Sequence, residues 1–303
     1  MRWRGASIAR CPRPFCRGCW PMNSSTSRAA ERLSVVIVSY NTRDDLRACL
    51  ESLRAVTVPL EIIVVDNASS DGSAEMVRAE FPGVKLLAQT RNTWFCGGNN
   101  TGIRAAAGDY VLLLNPDTVA QPGALERMVD FLDAHPDYTG VTAQLRYPDG
   151  AIQRTCSRAP TYADLLLEHT PLGWLFPGGR QRAAARRWYG EWARDTDKDV
   201  EVLPGSCLMR RRGFALDGDL RLYFPEDDLA RRTPGVKNRF LASAVIIHKE
   251  KSVTRTWLAT KTYFRDMLIY ARKHHGTARA ALLWLLSRPL LWGMALKRKI
   301  SQP

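Results

Sequence analysis

Cysteine is too sparse in this chain to build a framework. Seven thiols among 303 residues, odd in number and irregular in spacing, exclude a small disulfide-stapled fold and suit a reducing compartment. Cys11, Cys16 and Cys19 lie together, but no fourth ligand is near enough to complete a zinc site. Glycine is missing where a nucleotide-binding turn would need it. The first apolar run ends in Tyr40-Asn41-Thr42, which excludes the dinucleotide fingerprint, and the chain has no Walker A sequence. Phosphates bound here would need a cation instead of a glycine cradle. Long apolar runs are also missing. The first residues have no apolar core of signal-peptide length. The stretch 278–296 is short for a membrane span and is interrupted by Arg288 and Pro289.

Acids are scarce at the two ends. Residues 1–32 hold seven Arg against one Glu, and residues 249–303 hold twelve Lys plus Arg against two acids. The net charge of +14 therefore belongs to the ends, and residues 33–248 are near neutral at −2. A near-neutral core argues against nucleic acid as a partner, while basic flanks fit an anionic membrane surface. Residues 1–32 are expected to be a disordered basic leader. Within it, residues 1–21 would be a dispensable extension or a misassigned start ahead of Met22.

Between the ends, strand and helix signals alternate. Apolar, β-branched runs predict strands at 33–39, 61–65, 84–88, 110–114 and 138–144. Helices are expected from near Asp44, capped by Asn41 or Thr42, then from an SSDGS turn and N-cap (69–73) to about residue 81, over 98–107 and over 122–134. This predicts an α/β domain over residues 33–255, with a mostly parallel central sheet and helices on both faces. Residues 147–150, YPDG, signal a turn. Residues 158–200 would be a variable face toward a second substrate, or a helical cover on the sheet edge. A strand broken at Pro204 and Gly205 is expected over 201–211, and a last strand over 240–247. Residues 256–303 read as C-terminal basic amphipathic helices. Of these, 278–296, with Trp284, Trp292 and a Lys297-Arg298-Lys299 end, fits an interfacial helix or one packed on the domain.

Polar residues gather where the strands end: Tyr40 and Asn41, Asp66 and Asn67, Asn115 and Asp117. In open α/β sheets, ligands sit outside the carboxyl ends of the strands. Pro116 stops its strand and lets Asp117 turn outward, although Asn-Pro-Asp is also ordinary turn chemistry. Glu226, Asp227 and Asp228 follow Phe224 and Pro225. They read as the acidic first turn of a short helix. They also read as like charges in a partly apolar cleft, where one carboxylate's pKa rises and makes it a usable base. His248 closes the last strand and is a candidate cation ligand.

Taken in order, VVIVSYN (35–41), IIVVDNASSDGS (62–73), GGNNTGIRAAAGDYVLLLNPDT (97–118), LPGSCLMRR (203–211), YFPEDDLARR (223–232) and HKE (248–250) resemble the family 2 glycosyltransferases of the GT-A fold, close to their rhamnosyltransferase-like bacterial branch. The resemblance covers roughly residues 33–273. Thr93 stands where the family usually has a glycine after Asn92. The resemblance implies inverting, metal-dependent transfer from a nucleotide-diphosphate sugar, with dTDP-rhamnose a candidate donor, to a lipid-linked glycan or polysaccharide acceptor. It implies that Asp66 takes the base edge, Tyr40 packs on the ring, and Asn41, Asn67, Asn100 and Asn115 belong to the donor site. Asp117, with His248 as a further contact, would hold Mg2+ or Mn2+ on the diphosphate. Asp227 would be the base, with Glu226 and Asp228 as alternates. A polyprenyl-linked acceptor and a basic tail together imply a cytoplasmic protein, peripheral on the inner face of the cell membrane. A sugar nucleotidyltransferase would want a glycine-rich loop and a basic residue after the first strand, which Tyr40-Asn41 matches poorly. A non-catalytic nucleotide-sugar scaffold at the membrane would not need Asp66, Asp117 and Asp227 together.

Overall fold

The run Leu33–Ser39 forms β1 and is buried along nearly its whole length, as a strand covered on both faces must be. Its side chains alternate. Leu33, Val35 and Ile37 enter one core, and Val36 enters the other. A computed structural model describes residues 31–250 and 256–300. Cys11, Cys16, Cys19 and the rest of 1–30, residues 251–255, and the side chains of Lys297 and Lys299 lie outside the described residues.

After β1 come α1 (Arg43–Ser52), β2 (Leu60–Asp66), α2 (Ser73–Glu80), β3 (Lys85–Ala88), α3 (Trp94–Ala105), β4 (Tyr110–Leu114), β5 (Thr118–Ala120), α4 (Ala124–Ala134) and β6 (Tyr138–Arg146). An excursion then carries α5 (Tyr162–His169), α6 (Leu172–Leu175), α7 (Pro177–Arg187) and β7 (Lys198–Val200). The chain returns through β8 (Cys207–Arg211), α8 (Pro225–Arg232) and β9 (Lys237–His248), and closes with α9 (Trp257–His275) and α10 (Thr277–Ile300).

One sheet runs in the order β3-β2-β1-β4-β8-β6-β9-β5, with β7 paired to β9. The first four strands are parallel, joined by crossover helices. β8 lies antiparallel between β4 and β6, and β5 and β7 are antiparallel to β9, so the parallel half passes into a mixed half. The direction of β8 has a topological cause. β6 points the same way as β4, so the excursion leaves from the carboxyl edge of the sheet and returns there. Pro204, Gly205 and Ser206, just ahead of β8, are thereby delivered to the edge where β1, β2 and β4 end.

α1, α2 and α4 cover one face, through Leu46, Leu50, Val77, Phe81, Leu125 and Met128. α3, α5, α8, α9 and α10 cover the other, through Ile103, Leu165, Leu229, Met267, Tyr270 and Leu283. α3 packs close because it carries glycine: a Cβ on Gly98 would lie 2.7 Å from Val38 Cγ1, and one on Gly102 would collide with Val36.

Several boundaries differ from expectation for local reasons. α3 begins at Trp94, not residue 98, because Asn92 Oδ1 takes the Trp94 amide at 2.7 Å and starts the turn early. Thr42 takes the N-cap position of α1, but its side chain makes no capping hydrogen bond. Asp71, across the loop, accepts the Arg43 amide at 2.8 Å. Residues 201–206 are not strand: Val202 bridges to Ser157, and only Cys207–Arg211 pairs regularly. The excursion is largely helical and packs on the core through Leu165 of α5. α10 is continuous through Arg288 and Pro289. Around the turn that Pro289 disturbs, Ser287 Oγ and Arg288 Nε both donate to the Trp284 carbonyl, at 3.0 and 3.2 Å. Among the described residues, no helix is long and apolar enough to cross a membrane. The four described cysteines, Cys49, Cys96, Cys156 and Cys207, are buried and unpaired.

Candidate active site

The parallel register sets Ser39 of β1 beside Asp66 of β2, and Ile37 beside Leu114 of β4. Tyr40, Asp66 and Asn115 therefore emerge on one edge. Tyr40 is 47% exposed. Asp66 is buried; its Oδ2 accepts the Ser69 amide at 3.1 Å, while its Oδ1 has no partner. A buried carboxylate oxygen left open costs free energy unless a ligand donor fills it, and the N3–H of a thymine or uracil base is such a donor.

The neighbouring asparagines build the loops. Asn41, at φ 54°, donates its amide to Ser69 Oγ at 3.0 Å and accepts the Ser70 amide at 2.8 Å. Asn67 accepts from Thr93 Oγ1 at 2.9 Å and donates to the Trp94 carbonyl at 3.1 Å, tying the end of β2 to the start of α3. Thr93 thus fills the usual glycine position with a hydrogen-bonding side chain. Asn100 forms a reciprocal pair with the Leu216 backbone, 2.9 Å each way. All of these carboxamide contacts are internal to the chain.

Asp117 and His248 meet because β5 pairs antiparallel with the end of β9. His248 Nε2 lies 3.4 Å from Asp117 Oδ1 and 3.5 Å from Asn115 Nδ2. Gln153 grips the histidine twice: its Nε2 donates to the His248 carbonyl at 2.7 Å, and its Oε1 faces His248 Nδ1 at 2.9 Å. An amide oxygen opposite Nδ1 fixes the proton there and leaves the Nε2 lone pair directed at Asp117. A carboxylate oxygen and an imidazole lone pair facing one another suit a divalent cation. Among the described residues no group of three His, Cys, Asp or Glu could hold one alone, so diphosphate oxygens and water would complete its shell.

The acids of α8 join the same edge through the backbone. The Asn115 amide donates to the Ser206 carbonyl at 3.1 Å. Next to Ser206, Gly205 has no side chain because the Glu226 carboxylate occupies the place of its Cβ, with the Phe95 ring behind. The three acids do form the first turn of a helix with Pro225 at its first position, yet they have three different environments. Burial pushes the Glu226 carboxyl up to about 8, with the Asp227 charge adding to the effect. Burial pushes Asp227 up to about 6 against the pull of Arg187. Asp227 Oδ2 lies 3.8 Å from Arg187 Nη2, and its Oδ1 is buried without a partner. Asp228 turns the other way, onto Arg232 at 2.6 Å, Lys273 at 2.7 Å and His274 at 2.8 Å. Burial alone would raise it, but those hydrogen bonds prevail and hold it below the usual carboxylate range. Asp228 is a clamp between α8 and α9, unlike Glu226 and Asp227, which burial raises.

Two bulky residues, Trp94 at φ 63° and Phe224 at φ 65°, take left-handed backbone just where α3 and α8 begin. Such conformations persist only where the surroundings over-determine them, and they cluster at functional sites. The loop before α8 is fixed from α9. Buried Asp266 accepts the amides of Arg221, Leu222 and Tyr223 through one oxygen, at 3.0, 2.9 and 3.1 Å. Sequence reasoning missed Gln153, Arg187 and Asp266, which lie far along the chain in segments without local signals. Gly205 was legible as a break in a strand, though not as the seat of Glu226.

The glycosyl transferase family 2 model matches residues 34–215. The chain is 27% identical over 276 residues to the N-acetylglucosaminyl-diphospho-decaprenol L-rhamnosyltransferase of Mycobacterium tuberculosis, covering 84% of this chain and 89% of that protein. Over 138 residues it is 34% identical to the undecaprenyl-phosphate 4-deoxy-4-formamido-L-arabinose transferase of Serratia proteamaculans, covering 42% of this chain and 41% of that protein. The mannosyltransferase of Pyrobaculum calidifontis, solved in complex with GDP-Man and Mn2+, shares the fold with a TM-score of 0.52 at 17% identity, over 90% of this chain and 76% of that one.

Proposed function

The chain belongs to glycosyl transferase family 2, and on that premise we propose that this glycosyltransferase moves a sugar, with inversion, from a nucleotide-diphosphate donor to a polyprenyl-linked glycan. The observation that carries the reading is the facing pair of Asp117 Oδ1 and His248 Nε2, 3.4 Å apart on the edge that also presents Asp66. Mg2+ or Mn2+ held between them would offset charge on the leaving diphosphate. Asp66 Oδ1 accepts the N3–H of the base, and Tyr40 covers its ring. The open oxygen on Asp66 suits thymidine or uridine. With the mycobacterial relative named an L-rhamnosyltransferase, dTDP-rhamnose is the first donor to test. The names of both relatives supply the acceptor class, a polyprenyl phosphate or diphosphate.

Asp227 Oδ1 takes the proton of the acceptor hydroxyl. The hydroxyl oxygen bonds to the anomeric carbon as the bond to the diphosphate oxygen breaks. The nucleoside diphosphate leaves with that electron pair, and a single displacement inverts the centre. Glu226, pushed higher by burial, stays protonated at neutral pH and can donate to a sugar oxygen. The basic C-terminal residues support a peripheral position on the cytoplasmic face, where nucleotide sugars are made.

The test is nucleoside diphosphate release across a panel of nucleotide sugars, with a polyprenyl diphosphate glycan and Mn2+ or Mg2+, and the anomeric configuration of the product read by NMR. Release from a thymidine or uridine sugar with inverted product is expected. No release from any donor, or release of pyrophosphate from a nucleoside triphosphate and a sugar phosphate, would sink the proposal.

A further inference from the structure

α10 is apolar on two sides. Ala280, Leu283 and Ser287 are buried and Leu291 packs on the same core, so these form the inner stripe. Leu282, Leu285, Trp292 and Leu296 form an outer stripe at three- and four-residue steps, with Pro289 in phase, and are 46% to 68% exposed. A helix apolar on both sides calls for a second cover. Elsewhere in the chain, Trp174, Leu175 and Phe176, where α6 steps into α7, are 66%, 70% and 60% exposed.

Contacts between the helices bring these two groups to one end of the fold. Tyr162, at the start of α5, donates to the Arg279 carbonyl at 2.8 Å, and its ring lies 5.8 Å from His275. His169, at the end of α5, is hydrogen-bonded to Tyr263 at 3.0 Å. α9 therefore runs antiparallel to α5, and α10, turning back at Gly276, runs parallel to it. Arg279 to Trp292 is roughly 20 Å of helix, against roughly 12 Å for the whole of α5. The second half of α10 thus passes the end of α5, where α6 begins. The exposed charge there is basic. Residues 170–190 and α10 contain no acid; Arg186 and Arg187 are already paired with Asp164, Glu168 and Asp227, so the rim consists of Arg180, Arg182 and the basic end of α10. Arg180, Arg182 and Arg298 are exposed.

We infer that residues 174–176 and the outer stripe of α10 form one docking surface for an anionic lipid bilayer, with two insertion points. The proposal rests on the lipid-linked acceptor of the preceding section, and it supplies the plane from which such an acceptor would be presented. Apolar tips inside a basic rim match headgroup charge around an acyl interior. The same rim opposes a second copy of the chain, since a two-fold contact would set arginine against arginine.

The full chain would be floated with vesicles of phosphatidylglycerol and phosphatidylcholine, or of phosphatidylcholine alone. The comparison is with a variant carrying Trp174→Ser, Leu175→Ser and Phe176→Ser, and with one carrying Leu285→Ser and Trp292→Ser. All five side chains are exposed, and unchanged thermal melting would confirm intact folds. Binding to the anionic vesicles only, weakened by salt and reduced tenfold or more in each variant, is expected, with tryptophan quenching by brominated lipid lost from the first variant at Trp174. Nucleoside diphosphate release in detergent with a short-chain acceptor should be unchanged in both, which separates failure of docking from failure of the proposed activity. Wild-type vesicle binding by the triple variant would overturn the proposal. So would a wild-type dimer that the triple variant dissociates, since that would make the surface a protein interface.

Discussion

Arg187 is where the proposed chemistry is most exposed to a test. Its guanidinium sits between Glu168, at 2.7 Å, and Asp227, at 3.8 Å, with both sides of the Asp227 pair almost out of solvent. Burial raises Asp227 and Arg187 opposes that rise. Replacing Arg187 with Met keeps much of the side-chain volume and removes the charge. At 3.8 Å, Coulomb's law in a protein-like dielectric caps the lost attraction near 4 kcal/mol, or about 3 pH units, and carboxylates beside an arginine shift by about 1–3 units. The base must be ionised, so activity falls as pH drops through its pKa. The wild-type acid limb of kcat/KM should lie near pH 6, where Asp227 stands, and in Arg187→Met it should move upward by about 1–3 units. The assay is coupled nucleoside diphosphate release across the pH range at subsaturating donor, because kcat/KM reports the free enzyme. Glu168 loses its partner in the same variant, so Glu168→Gln is the control; because the Glu168 charge raises Asp227, the limb should move downward there, opposite in sign to Arg187→Met. An unmoved limb in Arg187→Met would refute the assignment of Asp227. A wild-type limb near 8 would transfer the role to Glu226.

Asp117→Ala should abolish the metal-dependent part of nucleotide-sugar binding with the thermal melt unchanged, read by titrating donor with and without Mn2+; equal titration curves for variant and wild type would refute it. Gly205→Ala puts a methyl group where the Glu226 carboxylate lies, so turnover should fall by about a hundredfold or more while donor affinity holds, a general acid–base scale of loss; a wild-type kcat would show that Glu226 can move without consequence. Asp228→Asn should cost about 2 kcal/mol in denaturant unfolding, below the full penalty of a broken buried pair because Arg232 and Lys273 can rehydrate. Since Asp228 is held below its ordinary value, its contribution is present above the unfolded pKa of about 3.9 and is lost as pH falls through the folded value, so the gap between variant and wild type should close in acid; a gap independent of pH would mean the effect is packing.

What could be read from the sequence follows the range of the interactions involved. β1 and β4 have the bounds expected from their largely apolar runs, because burial of both faces leaves little other use for such a stretch. Polar residues at the strand ends are also local, since the residue after a buried run must leave the sheet. The mixed half was harder. The direction of β8 depends on which edge the excursion leaves from, and that is a property of the whole topology. Among the three acids, the family resemblance puts Asp227 first, but the local pattern offers no ranking, because neighbours on a helix differ by about 100° in direction and only the partners on other elements tell them apart. Those partners are Gly205 for Glu226, Arg187 for Asp227, and Lys273 with His274 for Asp228. None lies within fifteen residues of its acid, and the last two come from the helix most easily taken for a mere tail. α9 therefore has two connections to the site. Through Asp266 it holds the three amides ahead of α8, and through Lys273 and His274 it binds the one acid of α8 that is turned away. Because α10 packs on α9, any surface that α10 meets is one helix away from the first turn of α8.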